Sequence, residues 1–125
     1  MVFIYPAVIH QEDGYWAEFP DLEGAYSQGD TVSEIAYNLE ESLAGYLESL
    51  LDRELDIPKA SELNKITVGN NNFLMLVKAD VDINKLKKSV KKTLTIPLWM
   101  DEKAKEKNIN FSKTLQEAIL QKITI

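Results

Sequence analysis

Apolar positions change their spacing several times along this chain, and each change marks a different element. Residues 2–9 are almost continuously apolar and rich in β-branched and aromatic side chains, which predicts a strand, and Gln11, Glu12, Asp13 and Gly14 close it as a turn. Residues 15–19 return as a second strand, so the two form a hairpin. Pro20 and Asp21 break that strand, a short third strand over 25–27 follows Gly24, and Gly29 and Asp30 end it, giving a three-stranded antiparallel meander. The period then becomes helical. Val32, Ile35, Leu39, Leu43, Leu47 and Leu50 recur on one face, and Thr31 with Glu34 carries the capping-box signature of a helix start, which predicts an amphipathic helix over about 31–51. Pro58 and the polar stretch 60–64 form a connection, and residues 73–78 are apolar enough for a buried strand. The first part of the chain is therefore βββαβ, ending near Asp80.

Beyond residue 80 the pattern changes character. Residues 83–89 are a lysine-rich hinge or short helix, after which Val90, Lys92, Leu94 and Ile96 alternate with Lys91, Thr93 and Thr95 at the period of a strand. Pro97 ends that strand and starts a helix of about ten residues, and Asn108 stands where a left-handed cap is expected. A second helix over about 111–122 takes its N-cap from Asn110 or Ser112 and carries an apolar stripe of Phe111, Leu115, Ala118, Ile119 and Ile123. One strand and two helices cannot close a core or satisfy a strand edge, so this module is expected to pair with a copy of itself. The fold class is α+β. The expected division is a domain over 1–80, a linker over 81–89 and a dimerising module over 90–125, with a tetramer through the first domain as a further option.

Charge sharpens that division. Residues 1–80 hold 15 Asp and Glu against 4 Lys and Arg, whereas residues 81–125 hold 5 against 10, so a net −11 and a net +5 make up the overall −6. Segregated charge lets one half approach phosphate while the other repels it, and two such halves suggest two partners. The chain has no cysteine, which excludes a disulfide framework, a thiolate metal site and a thiol nucleophile. No apolar run approaches the roughly 20 residues of a membrane span, and the amino terminus has no basic leader, so a cytoplasmic protein with no membrane partner is expected. His10, the one histidine, is expected on the surface at a strand end, with no second ligand for a metal and no triad. No cofactor or metal is expected.

The run Tyr5-Pro6-Ala7-Val8-Ile9-His10, followed by Tyr15-Trp16-Ala17-Glu18-Phe19-Pro20-Asp21-Leu22-Glu23-Gly24-Ala25-Tyr26-Ser27-Gln28-Gly29-Asp30-Thr31, resembles the amino-terminal domain of HicB antitoxins. The resemblance implies a partial RNase H-like fold for the first domain. Lys92-Thr93-Leu94-Thr95-Ile96-Pro97 and Asn108-Ile109-Asn110-Phe111-Ser112 resemble a ribbon-helix-helix DNA-binding domain, the tail that many HicB proteins carry. Phe111 stands where many such proteins have Arg, which leaves backbone amides for phosphate.

The family implies a HicA-like partner, a small mRNA-cleaving toxin that the antitoxin blocks, together with operator DNA. A toxin that grips RNA needs a cationic surface, which an acidic domain complements. The candidate toxin contacts are Glu12, Asp13, Glu18, Asp21 and Glu23, with Tyr15 and Trp16 as aromatic anchors; Trp16 has core or turn packing as its plain alternative. The candidate DNA contacts are Lys91, Thr93 and Thr95 on the ribbon and Asn110, Ser112 and Lys113 at the start of the last helix. Two other functions compete. One is a stand-alone repressor whose acidic domain binds a small ligand or oligomerises. The other is a metal-dependent nuclease, for which the converging carboxylates are missing: neither the strand over 2–9 nor that over 73–78 carries an acid, and Asp80 is alone at a strand end. No enzymatic activity is expected.

Overall fold

The computed structural model describes residues 1–83 and 89–124. Strand β1 (Val2–Gln11) pairs on one side with β2 (Tyr15–Glu18), which pairs with β3 (Tyr26–Gly29), and on the other with β4 (Phe73–Asp80). All three pairings are antiparallel, in the order β3-β2-β1-β4. The β1–β2 turn uses left-handed backbone at Asp13 (φ 47°) and Gly14 (φ 95°), conformations that Asp tolerates and Gly adopts freely. Helix α1 (Val32–Asp52) covers one face of the sheet. Ile35, Leu39, Leu43, Leu47 and Leu50 are buried there against Phe3, Tyr5, Ala7 and Ile9 of β1, each worth about 1.5–3 kcal/mol of removal from water. Thr31 Oγ1 accepts from the Glu34 N–H at 3.1 Å and fixes where the helix begins.

β1 outruns β2, whose pairing starts only at Val8, so the first half of β1 has an open edge on that side. A proline, which cannot donate to a ladder, is tolerated in such a position, and Pro6 sits there fully buried. The connection from α1 to β4 covers this region and is tied at separate points. Ile57 is buried in the core, the Tyr5 hydroxyl donates to the Pro58 carbonyl, and Gln11 Nε2 donates to the Asn71 carbonyl at 2.7 Å. The Ser61 N–H donates to Asp21 Oδ2 at 2.9 Å, the Ser61 hydroxyl donates to Asp21 Oδ1, and a single 3-10 turn follows at Leu63–Lys65. The core runs past Asp80 to include Val81 and Ile83.

The C-terminal helices are α2 (Leu98–Glu106) and α3 (Phe111–Ile123). Asn108, at φ 54°, makes the turn between them, and Asn110 Oδ1 caps α3 by accepting from the Lys113 N–H at 2.9 Å. The single chain lacks two features expected of the paired module. Residues 90–96 form no strand in the single chain but lie exposed and irregular, because a strand needs a neighbour to pair its main chain and none of the four sheet strands is beside them. The buried side chain of α3 is Leu120, outside the expected stripe, while Phe111, Ile119 and Ile123 of that stripe are exposed. Most of the expected hinge over 83–89 lies outside the described residues. Among the described residues, no helix is long and apolar enough to cross a membrane.

Candidate functional site

The face of the sheet turned away from α1 carries the most distinctive side chains. Residues directly opposite each other in an antiparallel pair share a face, so the His10–Trp16 and Val8–Glu18 pairings bring these four together. His10 and Trp16 stack with ring centroids 3.9 Å apart and planes 8° from parallel. Trp16 Nε1 donates to Glu12 Oε2 at 3.3 Å, and His10 Nε2 lies 3.8 Å from Glu18 Oε1. A continuous strip therefore crosses the hairpin, from carboxylate through two stacked rings to a second carboxylate. His10 is not the exposed strand-end residue expected from the sequence. Its side chain is 18% exposed, with one ring face stacked on Trp16.

Beside the strip is an open cleft of about 370 Å³, floored by Val8 and His10 and walled by Glu18, Asp21, Ser61 and Lys65 among others. Register sorts the expected toxin contacts. Trp16 and Glu18 belong to this far face. Tyr15 does not, since it packs against the core and meets Phe73 edge to face at 6.4 Å. Asp21 is engaged by two bonds from Ser61 and so has a structural role in holding the connection. Glu12, Asp13 and Glu23 are exposed. Burial, with the charge of Asp21 as a smaller cause, pushes the Tyr5 hydroxyl up to about 12.

The second region is the C-terminal module. Lys91, Thr93 and Thr95 are all exposed, and Ser112 accepts from Gln116 Nε2 at 3.1 Å in the first turn of α3. With Lys113 N–H taken by the cap and Thr114 N–H by the Asn110 carbonyl, the Phe111 and Ser112 amides point out of the open helix end. Of the eighteen large hydrophobic residues exposed among those described, ten lie between Val90 and Ile123, including Leu94, Ile96, Leu98 and Trp99. Among the described residues, no group of three or more His, Cys, Asp or Glu is placed to hold a metal ion.

Three features escaped the sequence: the His10–Trp16 stack, the cleft and the burial of Leu120. The first two depend on strand register and a long connection, which no periodicity reports. Leu120 did leave a signal, as a lone apolar residue on the polar side of an amphipathic helix.

The fold has known counterparts. A chain in a toxin-antitoxin complex from Streptococcus pneumoniae is similar at 28% sequence identity and a TM-score of 0.60, over 98% of this chain and 99% of that one. The antitoxin HicB of Burkholderia pseudomallei shares the fold at a TM-score of 0.68 and 23% identity, over 97% of this chain and 98% of that one. An uncharacterized 14.9 kDa protein from the rep-hol intergenic region of Haemophilus phage HP1 is 31% identical over 97 residues, which is 75% of this chain and 73% of that protein. The family model described as a HicB-like antitoxin of bacterial toxin-antitoxin systems matches residues 5–123, and the chain belongs to that family.

Proposed function

We propose that this protein neutralises a HicA-like mRNA-cleaving toxin through its acidic half and represses its own operon through a ribbon-helix-helix dimer built by residues 90–125. The observation that carries the reading is the separation of charge, 15 acids against 4 basic residues up to residue 80 and 5 against 10 after it, in a chain that belongs to an antitoxin family. The acidic half, read as a partial RNase H-like domain, meets the toxin with its far face. Glu12, Trp16 and Glu18 form the centre, Asp13 and Glu23 the rim, and the two stacked rings give a rigid apolar anchor between charges. Tyr15 supports that face from behind, and Asp21 holds the connection beside it. In the other half, two copies pair residues 90–96 into an antiparallel ribbon and bury the apolar side chains that the single chain exposes. Lys91, Thr93 and Thr95 then enter a major groove, and the α3 amides with Asn110, Ser112 and Lys113 meet flanking phosphates.

The test is co-expression with the product of a neighbouring reading frame encoding a small basic protein. The expected result is a co-purifying complex without RNA-cleaving activity, and triple charge reversal at Glu12, Glu18 and Glu23 separates it while leaving the antitoxin folded. A complex unaffected by the reversal overturns the assignment of the face. Absence of any complex favours the second reading, a repressor whose acidic domain binds a small molecule, for which the cleft beside His10 is within the usual size range of ligand sites.

A further inference from the structure

Helix α3 has two working faces. At 100° per residue, Glu117, Leu120, Gln121 and the capping Thr124 cluster on one side, and Phe111, Leu115, Ala118 and Ile119 lie roughly opposite. The first side is seated on the acidic domain. Leu120 belongs to the same buried cluster as Phe3 and Tyr5, Gln121 and Thr124 line a groove with residues 1–5 and 57–60, and Glu117 Oε1 is 3.6 Å from the Met1 amino nitrogen. The second side is free. The helix expected to touch DNA phosphate is thus held against a domain of net charge −11, chiefly by Leu120, on the face that dimerisation does not need.

Distance decides whether that matters. From Leu120 to the Asn110–Lys113 turn is seven to ten residues, or roughly 10–15 Å along the axis. This is about one to two screening lengths at physiological salt but only about a third to a half of one at about 0.01 M, so the field of the docked domain reaches an approaching phosphate and is strongly salt-dependent. A partner that covers the acids would not be needed for the effect, which is present in the free protein.

We infer that the seat of α3 on the first domain is an autoinhibitory contact: it holds the acidic half beside the DNA-binding half and lowers its affinity for the polyanion. The inference rests on the DNA-binding reading above. Leu120→Gln removes the apolar anchor without changing charge or touching the dimer stripe, and Leu120→Ala is the milder variant should Gln disturb folding.

The experiment is anisotropy titration of the full chain against a short fluorescein-labelled duplex of arbitrary sequence, from about 0.02 to about 0.5 M NaCl. Amide hydrogen exchange in residues 1–5 and 117–124 reports whether α3 has left its seat. Release should tighten binding roughly three- to tenfold at the lowest salt and less than about twofold at the highest, with dimerisation unchanged. Variants that release α3 yet bind the duplex no better at low salt overturn the inference, as does a gain that persists undiminished at high salt. Variants whose exchange in both segments stays as in the wild type also overturn it, since Leu120 then does not hold the seat. If neither the wild type nor a released variant binds any duplex, the DNA-binding reading itself fails; a silent wild type with a binding variant is the strongest form of the expected result.

Discussion

At Tyr5 a single hydroxyl links the sheet to the connection that crosses it. The side chain is almost fully buried, its hydroxyl donates to the Pro58 carbonyl, and burial raises its pKa from 10.0 to about 12. The unfolded chain therefore releases this proton at lower pH than the folded one, so the stabilisation is complete below pH 10 and is lost as pH rises through about 12. Over that window urea midpoints should fall by the equivalent of about 2–3 kcal/mol, and Tyr5→Phe should remove this component while costing about 1–2 kcal/mol at neutral pH for the unpaired carbonyl. A wild type and Tyr5→Phe variant with parallel pH profiles would refute it. Two glycines give opposite expectations. A Cβ at Gly29 would lie 2.7 Å from Ile35 N and 3.0 Å from Ile35 Cα, backbone atoms that cannot step aside, so Gly29→Ala should cost about 1–3 kcal/mol by thermal unfolding. Gly45 is exposed in the middle of α1 and a Cβ there meets nothing, so Gly45→Ala should add about 0.5–1 kcal/mol.

Among the elements, those with a clean period were legible in the sequence and those held by isolated contacts were not. The expected helix over 31–51 is Val32–Asp52, the four strands fall where alternation and turn residues put them, and Asn108 and Asn110 do mark the break before α3. The connection over 57–72 resisted, because it is held by Tyr5, Gln11 and Asp21 acting singly across the fold. The acids of the candidate site were visible in composition, and alternation along β2 already puts Tyr15 on the face opposite Trp16 and Glu18, but only strand register brings His10 and Val8 of β1 beside them. Residues 90–96 are different again. Their alternation is unmistakable, yet one chain gives the strand nothing to pair with. If pairing comes from a second copy, amide exchange in 90–96 should be fast at low protein concentration and slow above the dimer dissociation constant. Replacing Thr93 and Thr95 with Ala should then cost about 1–3 kcal/mol per lost base contact on operator DNA, with little change on random duplex. A double variant that dimerises and keeps full operator preference would show that the ribbon is not the reading head.

For the whole molecule, salt is the variable that separates internal repulsion from attraction to partners. The first 80 residues carry net −11, and α1 has an acid at each end, Glu34 and Asp52, while the one cation at its C-terminal end is the capping Arg53, whose Nε donates to the Ser49 carbonyl at 3.4 Å. Like charges on one small domain oppose compaction, and screening relieves them. Raising NaCl from about 0.02 to about 0.5 M, where the screening length falls from roughly 20 Å to about 4 Å, should therefore raise the melting temperature of the free protein by a few degrees. Chloride is the proper choice, since sulfate would add stability by exclusion from the surface whatever the charge. With a cationic toxin bound, the same acids face opposite charge and the dominant effect of salt is to weaken the interface. The melting temperature of the complex should then fall over the range in which that of the free protein rises. Scanning calorimetry of both at matched concentrations makes the comparison. If both rise in parallel, the acids of the far face are not what holds the partner, and the interface must be sought on surfaces whose charge salt does not reach.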